Sequence, residues 1–114
     1  MLRYVFFDMN SLLSVSEKTN RGTEQSIKSY VRDLYLAGKR LFCLTTEPFS
    51  YTYCDSFTYY NKVRFILENY PEIRSEDIFS VSKDSDKFTL IRNIASRDNI
   101  DLSECLLVEG NLTY

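Results

Sequence analysis

The residues able to do chemistry in this 114-residue chain are few and stand at similar places. Asp8 closes the apolar run YVFFD, and Asn10 follows two residues later. Thr45 and Thr46 close a second apolar run, RLFCLTT. Lys83 and Lys87 lie at the start of KDSDKFTLIRNIA, and Glu109 closes a further run, CLLVE. A carboxylate, a hydroxyl, an ammonium and a second carboxylate are the groups that hold a phosphoryl group beside a divalent, oxygen-seeking cation. Histidine is absent, so His-based triads, His general bases and His metal ligands are excluded.

Four strands and three helices are needed to position these groups. Residues 3–8 read as a strand buried on both faces, because their apolar run does not alternate. Residues 9–23 read as a polar loop, with Thr23 capping a helix whose apolar face is Ile27, Tyr30, Val31 and Leu34. Gly38 suits the position just past that helix. Residues 41–44 form a second strand, stopped near Pro48. The spacing of Tyr59, Val63, Ile66 and Tyr70 predicts a helix over about 59–69, ended by Pro71. Residues 77–81 form a third strand. A helix capped by Ser85 or Asp86 follows, with Phe88, Ile91 and Ile94/Ala95 on its apolar face. Residues 105–108 form the fourth strand. The alternation β-α-β-α-β-α-β argues for a parallel α/β sheet in a single domain, residues 1–114. In such sheets ligands bind beyond the carboxyl ends of the strands, where Asp8, Thr45, Ser82/Lys83 and Glu109 collect.

Composition narrows the class. The chain is 44% hydrophobic and 26% charged, with net charge −2, which suits a soluble protein and leaves no basic track for nucleic acid. No apolar run approaches the ~20 residues of a membrane span. Cys43, Cys54 and Cys105 show no metal or redox spacing, which points to a reducing, cytoplasmic setting.

Read in order, these segments resemble the haloacid-dehalogenase-like (HAD) phosphohydrolase superfamily. The first family motif, an apolar strand followed by DxDx(T/V)L, is matched by Asp8-Met9-Asn10-Ser11-Leu12-Leu13. The second, a strand ending in Thr or Ser, is matched by GKRLFCLTT, with Thr45 the better fit and Thr46 beside it. The third, a Lys near a helix start, is matched by Lys87, with Lys83 as its rival. The fourth, an apolar strand ending in acids, is matched by LLVEGN through Glu109.

The resemblance implies a three-layer α/β/α core with a parallel Rossmann-like sheet, a minimal cap, and an aspartyl-phosphate formed on Asp8. It implies Mg²⁺ held by Asp8, the main-chain carbonyl of Asn10 and Glu109. Thr45 and Thr46, with Lys83, would bind the substrate phosphate, and Lys87 would neutralise charge on the transferring group. The substrate would be a phosphorylated small molecule or a phosphoprotein.

Two positions depart from the pattern. Asn10 stands where the hydrolases carry the Asp that exchanges a proton with the leaving group, and Gly110 stands where a further acid is usual. The family core adds a helix and a fifth strand after the fourth, so the sequence reads as a fragment, as a reduced version, or as a chain whose open sheet edge a partner or a second copy covers. A catalytically silent HAD-like binding module is therefore one alternative reading. A second is a PIN-like Mg²⁺-dependent ribonuclease built on Asp8, Glu24 and Asp86, because DxNxLL also resembles that start.

Overall fold

A computed structural model describes residues 1–17, 21–46, 54–83 and 85–109. Four strands, β1 (Tyr4–Asp8), β2 (Arg40–Thr46), β3 (Ile78–Val81) and β4 (Cys105–Val108), form one sheet in the order β3-β2-β1-β4. Every pairing is parallel, with Phe6 beside Phe42 and Leu107, and Thr45 beside Ser80.

Helices α1 (Met9–Glu17), α2 (Arg21–Leu36), α3 (Cys54–Asn69) and α4 (Ser85–Arg97) cover both faces. Strand alternation divides the core between them. Val5, Phe7, Leu41 and Cys43 pack with Met9 and Leu12 of α1, Val31 of α2 and Ile66 of α3. On the other face, Tyr4, Phe6, Phe42 and Leu44 pack with Ile91 and Ile94 of α4. This is the expected α/β/α layering around a parallel sheet. The Phe6 and Phe42 rings stack across neighbouring strands at 4.5 Å between centroids, a pairing worth about 1 kcal/mol beyond its burial.

Several element boundaries differ from the sequence reading. Residues 9–17 are helical where a loop was predicted. Met9, Leu12 and Leu13 fall at i, i+3 and i+4, so one face of a mostly polar stretch reaches the core and makes the helix worth forming. Helix α2 opens at Arg21, ahead of Thr23, and α3 opens at Cys54, ahead of residue 59. On α4 the inward face is Lys87, Ile91, Ile94 and Ala95, while Phe88 is 60% exposed. Asp77 precedes β3 in a short 3-10 turn. Pro48 and Gly110 lie outside the described residues, as do the side chains of Thr23 and Glu24.

Two helix ends share one device. Gly38 (φ 84°) donates to the Tyr35 carbonyl, and Lys39 donates to that of Leu34. Asn99 (φ 58°) donates to Ser96, and Ile100 donates to Ala95. Both are Schellman ends, which need a left-handed residue after the helix; Gly adopts that conformation freely and Asn tolerates it.

The amino-terminal ends of the strands are held by charge. Arg40 donates from two nitrogens to Asp77 at 2.9 and 3.2 Å, lies 3.7 Å from Asp98, and stacks over the Tyr4 and Phe42 rings. These hydrogen bonds to Asp77 raise the guanidinium pKa further. The Tyr4 hydroxyl donates to Asp98, which also receives two hydrogen bonds from Arg97. These bonds, Arg97 first, hold the Asp98 carboxyl well below its usual range. Among the described residues, no helix is long and apolar enough to cross a membrane.

Two outcomes follow. Asp77→Ala leaves a part-buried guanidinium without its fork and lowers urea-measured stability by about 2 kcal/mol, less than a fully buried pair because Arg40 still touches water. Asp98 has a depressed folded pKa, so its contribution is present above its unfolded value near 3.8 and fades as pH falls through the folded value. Acid unfolding curves of Asp98→Asn should therefore be flatter below about pH 4 than those of the wild type.

Candidate functional site

Several of the expected residues stand at the carboxyl-terminal edge of the sheet. Asp8 is the last residue of β1, and in register it sits beside Leu44 of β2. Phe7 pairs with Val108, so Glu109 follows at the adjacent strand tip, exposed. Thr46 pairs with Val81, which brings Ser82 and Lys83 to the same edge.

Asp8 is placed by two elements. Its carboxylate Oδ1 accepts the Asn10 main-chain N–H at 3.3 Å, and its carbonyl accepts the Ser11 hydroxyl. Asp8 is thus the N-cap of α1, with Asn10 at the second helical position. The strand must be extended to stay in the ladder and the helix must begin at once, and an aspartate meets both demands. From the opposite layer, Lys87 Nζ lies 3.6 Å from Asp8 Oδ1, with the two side chains 7% and 16% exposed. A lysine this enclosed requires a compensating anion, because an unpaired buried ammonium costs several kcal/mol. Lys87 stands at the first turn of α4 on the same stripe as Ile91, Ile94 and Ala95, so the packing of that helix aims the ammonium at the sheet edge.

The structure separates the two lysines: Lys87 reaches Asp8, whereas Lys83 is exposed in the bend after β3. It also separates the two threonines. Thr45 follows the parity of Cys43 and Leu41, toward the α1–α3 layer, and is 2% exposed. Thr46 follows the parity of Phe42 and Leu44, the face that Asp8 and Lys87 share, and is half-buried. The accessible hydroxyl on the side of the carboxylate is therefore Thr46, not the better-matching Thr45.

Beneath the site, burial pushes the Cys43 thiol up to about 12, with the Asp8 charge adding to the effect, so Cys43 is no nucleophile. A cleft of about 530 Å³ between Lys39, Arg40, Glu72, Arg74 and Asp77 lies at the other end of the strands. The contribution of Ser11 was not foreseen; its signal was the i+3 spacing from Asp8, once a helix at 9–17 is admitted.

The Asp8 and Glu109 carboxylates are hard oxygen donors of the kind Mg²⁺ takes. Helix α1 turns the Asn10 carbonyl along its axis, toward the residue four further on, so the oxygen Asn10 offers the site is its exposed side-chain amide. Among the described residues no three His, Cys, Asp or Glu side chains gather to hold a metal. A cation here would complete its shell with water, as Mg²⁺ commonly does.

A double-mutant cycle over Asp8→Asn and Lys87→Met, read by urea unfolding, should give a coupling of about 1–3 kcal/mol, with Lys87→Met costing less in the Asp8→Asn background. No family model, curated protein or solved structure matches the chain.

Proposed function

We propose that the chain is an HAD-like phosphoryl-transfer protein acting on phosphomonoesters through Asp8. The observation that carries this reading is the Lys87 ammonium 3.6 Å from Asp8 at the carboxyl edge of a parallel sheet. An Asp8 carboxylate oxygen attacks phosphorus, an O–P bond to Asp8 forms, and the bond to the leaving oxygen breaks. The leaving oxygen takes its proton from water, because the Asn10 amide has none to exchange at neutral pH. Water then hydrolyses the aspartyl-phosphate and releases inorganic phosphate.

Lys87 lowers the repulsion between the carboxylate and the incoming anion and stabilises charge on the transferring group. Thr46 supplies a hydroxyl to a phosphoryl oxygen. The first N–H groups of α1 face the same anion with the positive end of a helix. Mg²⁺, held by Asp8 and Glu109 with the Asn10 amide, would screen the two anions from each other when bound.

A second reading, a phosphate-binding module without turnover, is favoured by Asn10 itself. Losing general acid–base help costs roughly 10²–10⁴-fold, enough to stall the cycle after phosphate capture.

The test is release of phenol and phosphate from an aryl phosphate with Mg²⁺. The wild type should release about one equivalent of phenol per chain rapidly and then turn over slowly. Asp8→Asn should abolish both phases, and Asn10→Asp should raise the slow phase by roughly 10²–10⁴-fold. Absence of phenol release from both the wild type and Asn10→Asp would sink phosphoryl transfer. Phosphate binding that persists in such inactive proteins, and is lost in Lys87→Met, would establish the module instead.

A further inference from the structure

We infer that the free side of β4 is a docking edge for an extended, apolar peptide segment carrying basic residues at both ends, which adds to the sheet as a fifth strand. Strand β4 ends the sheet order, and among the described residues no strand lies beyond it. Glu104 turns its carbonyl toward the Arg3 N–H, on the β1 side. Strand alternation then turns the main-chain groups of Leu106 and Val108 to β1, and those of Cys105 and Leu107 outward. The Cys105 N–H is already used by the Leu102 carbonyl. Among the described residues no hydrogen bond uses the Leu107 N–H or the carbonyls of Cys105 and Leu107, which face a neighbour on this side.

Natural edges are blunted by lysine, proline or a bulge. The sequence Cys-Leu-Leu-Val carries neither lysine nor proline, and its pairing with β1 runs one residue to one residue. Leu106 is 38% exposed and Leu102 is more so, which puts apolar side chains next to these polar groups. The opposite edge, β3, interrupts its apolar run with an exposed Ser80.

Charge selects the occupant. Acids bracket β4: Asp101 and Glu104 before it and Glu109 after it, with Arg3 3.8 Å from Glu104. A second copy would bring its own Asp101, Glu104 and Glu109 to the same short edge and add charge of the same sign. A strand with cations five residues apart, about 17 Å, meets the same acids with the opposite sign. This surface is independent of any reaction at Asp8.

The test uses two labelled, end-blocked peptides, Lys-Val-Thr-Val-Thr-Lys and Glu-Val-Thr-Val-Thr-Glu, titrated with the intact chain while amide exchange is followed. The lysine peptide should bind about tenfold more tightly than the glutamate peptide, in a salt-sensitive way. It should slow exchange at the Leu107 amide. Leu107→Pro removes the outward donor together with a side chain packed against the core, and Leu106→Lys adds an edge charge without touching the main chain. Each should abolish that binding, and the second variant decides should the first not fold. Equal binding of both peptides, no binding of either, or protection at β3 in place of β4 overturns the proposal. So does protection of the Leu107 amide that depends on protein concentration without peptide, since the edge then belongs to a second copy.

Discussion

The structure turns on one electrostatic requirement: the Lys87 ammonium, withdrawn from water, must find a carboxylate, and Asp8 is where it finds one. Meeting it fixes two relationships. Helix α4 can rotate or slide little over the sheet without uncoupling the pair, so its apolar stripe is held in register with Phe42 and Leu44. Helix α1 must start directly from β1, because the same carboxylate caps it. A single side chain at a strand tip therefore joins the two outer layers through the central one. Removing either partner leaves a charge that the remaining structure is poorly placed to solvate.

The molecule keeps its charged groups in two separate places. At the amino-terminal ends of the strands, Arg40, Asp77, Asp98, Tyr4 and Arg97 satisfy one another in a dense network. That network has the geometry of a brace: planar forks, stacked rings and opposite charges at close range. At the carboxyl-terminal ends the groups are sparser, and Glu109, Lys83 and Asn10 face solvent. An end whose polar groups are mutually satisfied has little to offer a ligand, and an end with outward-facing ones has more. The separation follows from parallel strands, which put all their beginnings on one edge and all their ends on the other.

Long apolar runs and strong punctuation were readable in the chain. The four strands, the end of α3 before Pro71 and the role of Gly38 follow from local chemistry that tertiary packing reinforces. Helix α1 was hidden because its buried face is narrow: Met9, Leu12 and Leu13 among serines carry the period weakly, and the acid that starts it also ends a strand. Phe88 was misplaced because hydrophobicity ranks it above lysine, whereas Lys87 takes that stripe beside Asp8 and the ring stays outside. The placement of Asp8 and Glu109 at neighbouring strand ends was readable from the order of the segments, but which of Thr45 and Thr46 faces Asp8 was not. That choice is one of strand parity, and parity is set by which residues of β2 face which layer. The Arg40–Asp77 brace joins residues 37 positions apart and has no local signature.

Cys43 lies directly beside the floor of the candidate site, fully enclosed in the middle of β2. Its sulfur is out of reach of reagents while the layers stay closed, and deprotonation there is disfavoured. Alkylation at this sulfur must therefore wait for β2 to be uncovered. The chain thus carries a built-in clock for opening of its interior, and anything that fastens the layers together, such as an anion seated between α1 and α4, would slow it.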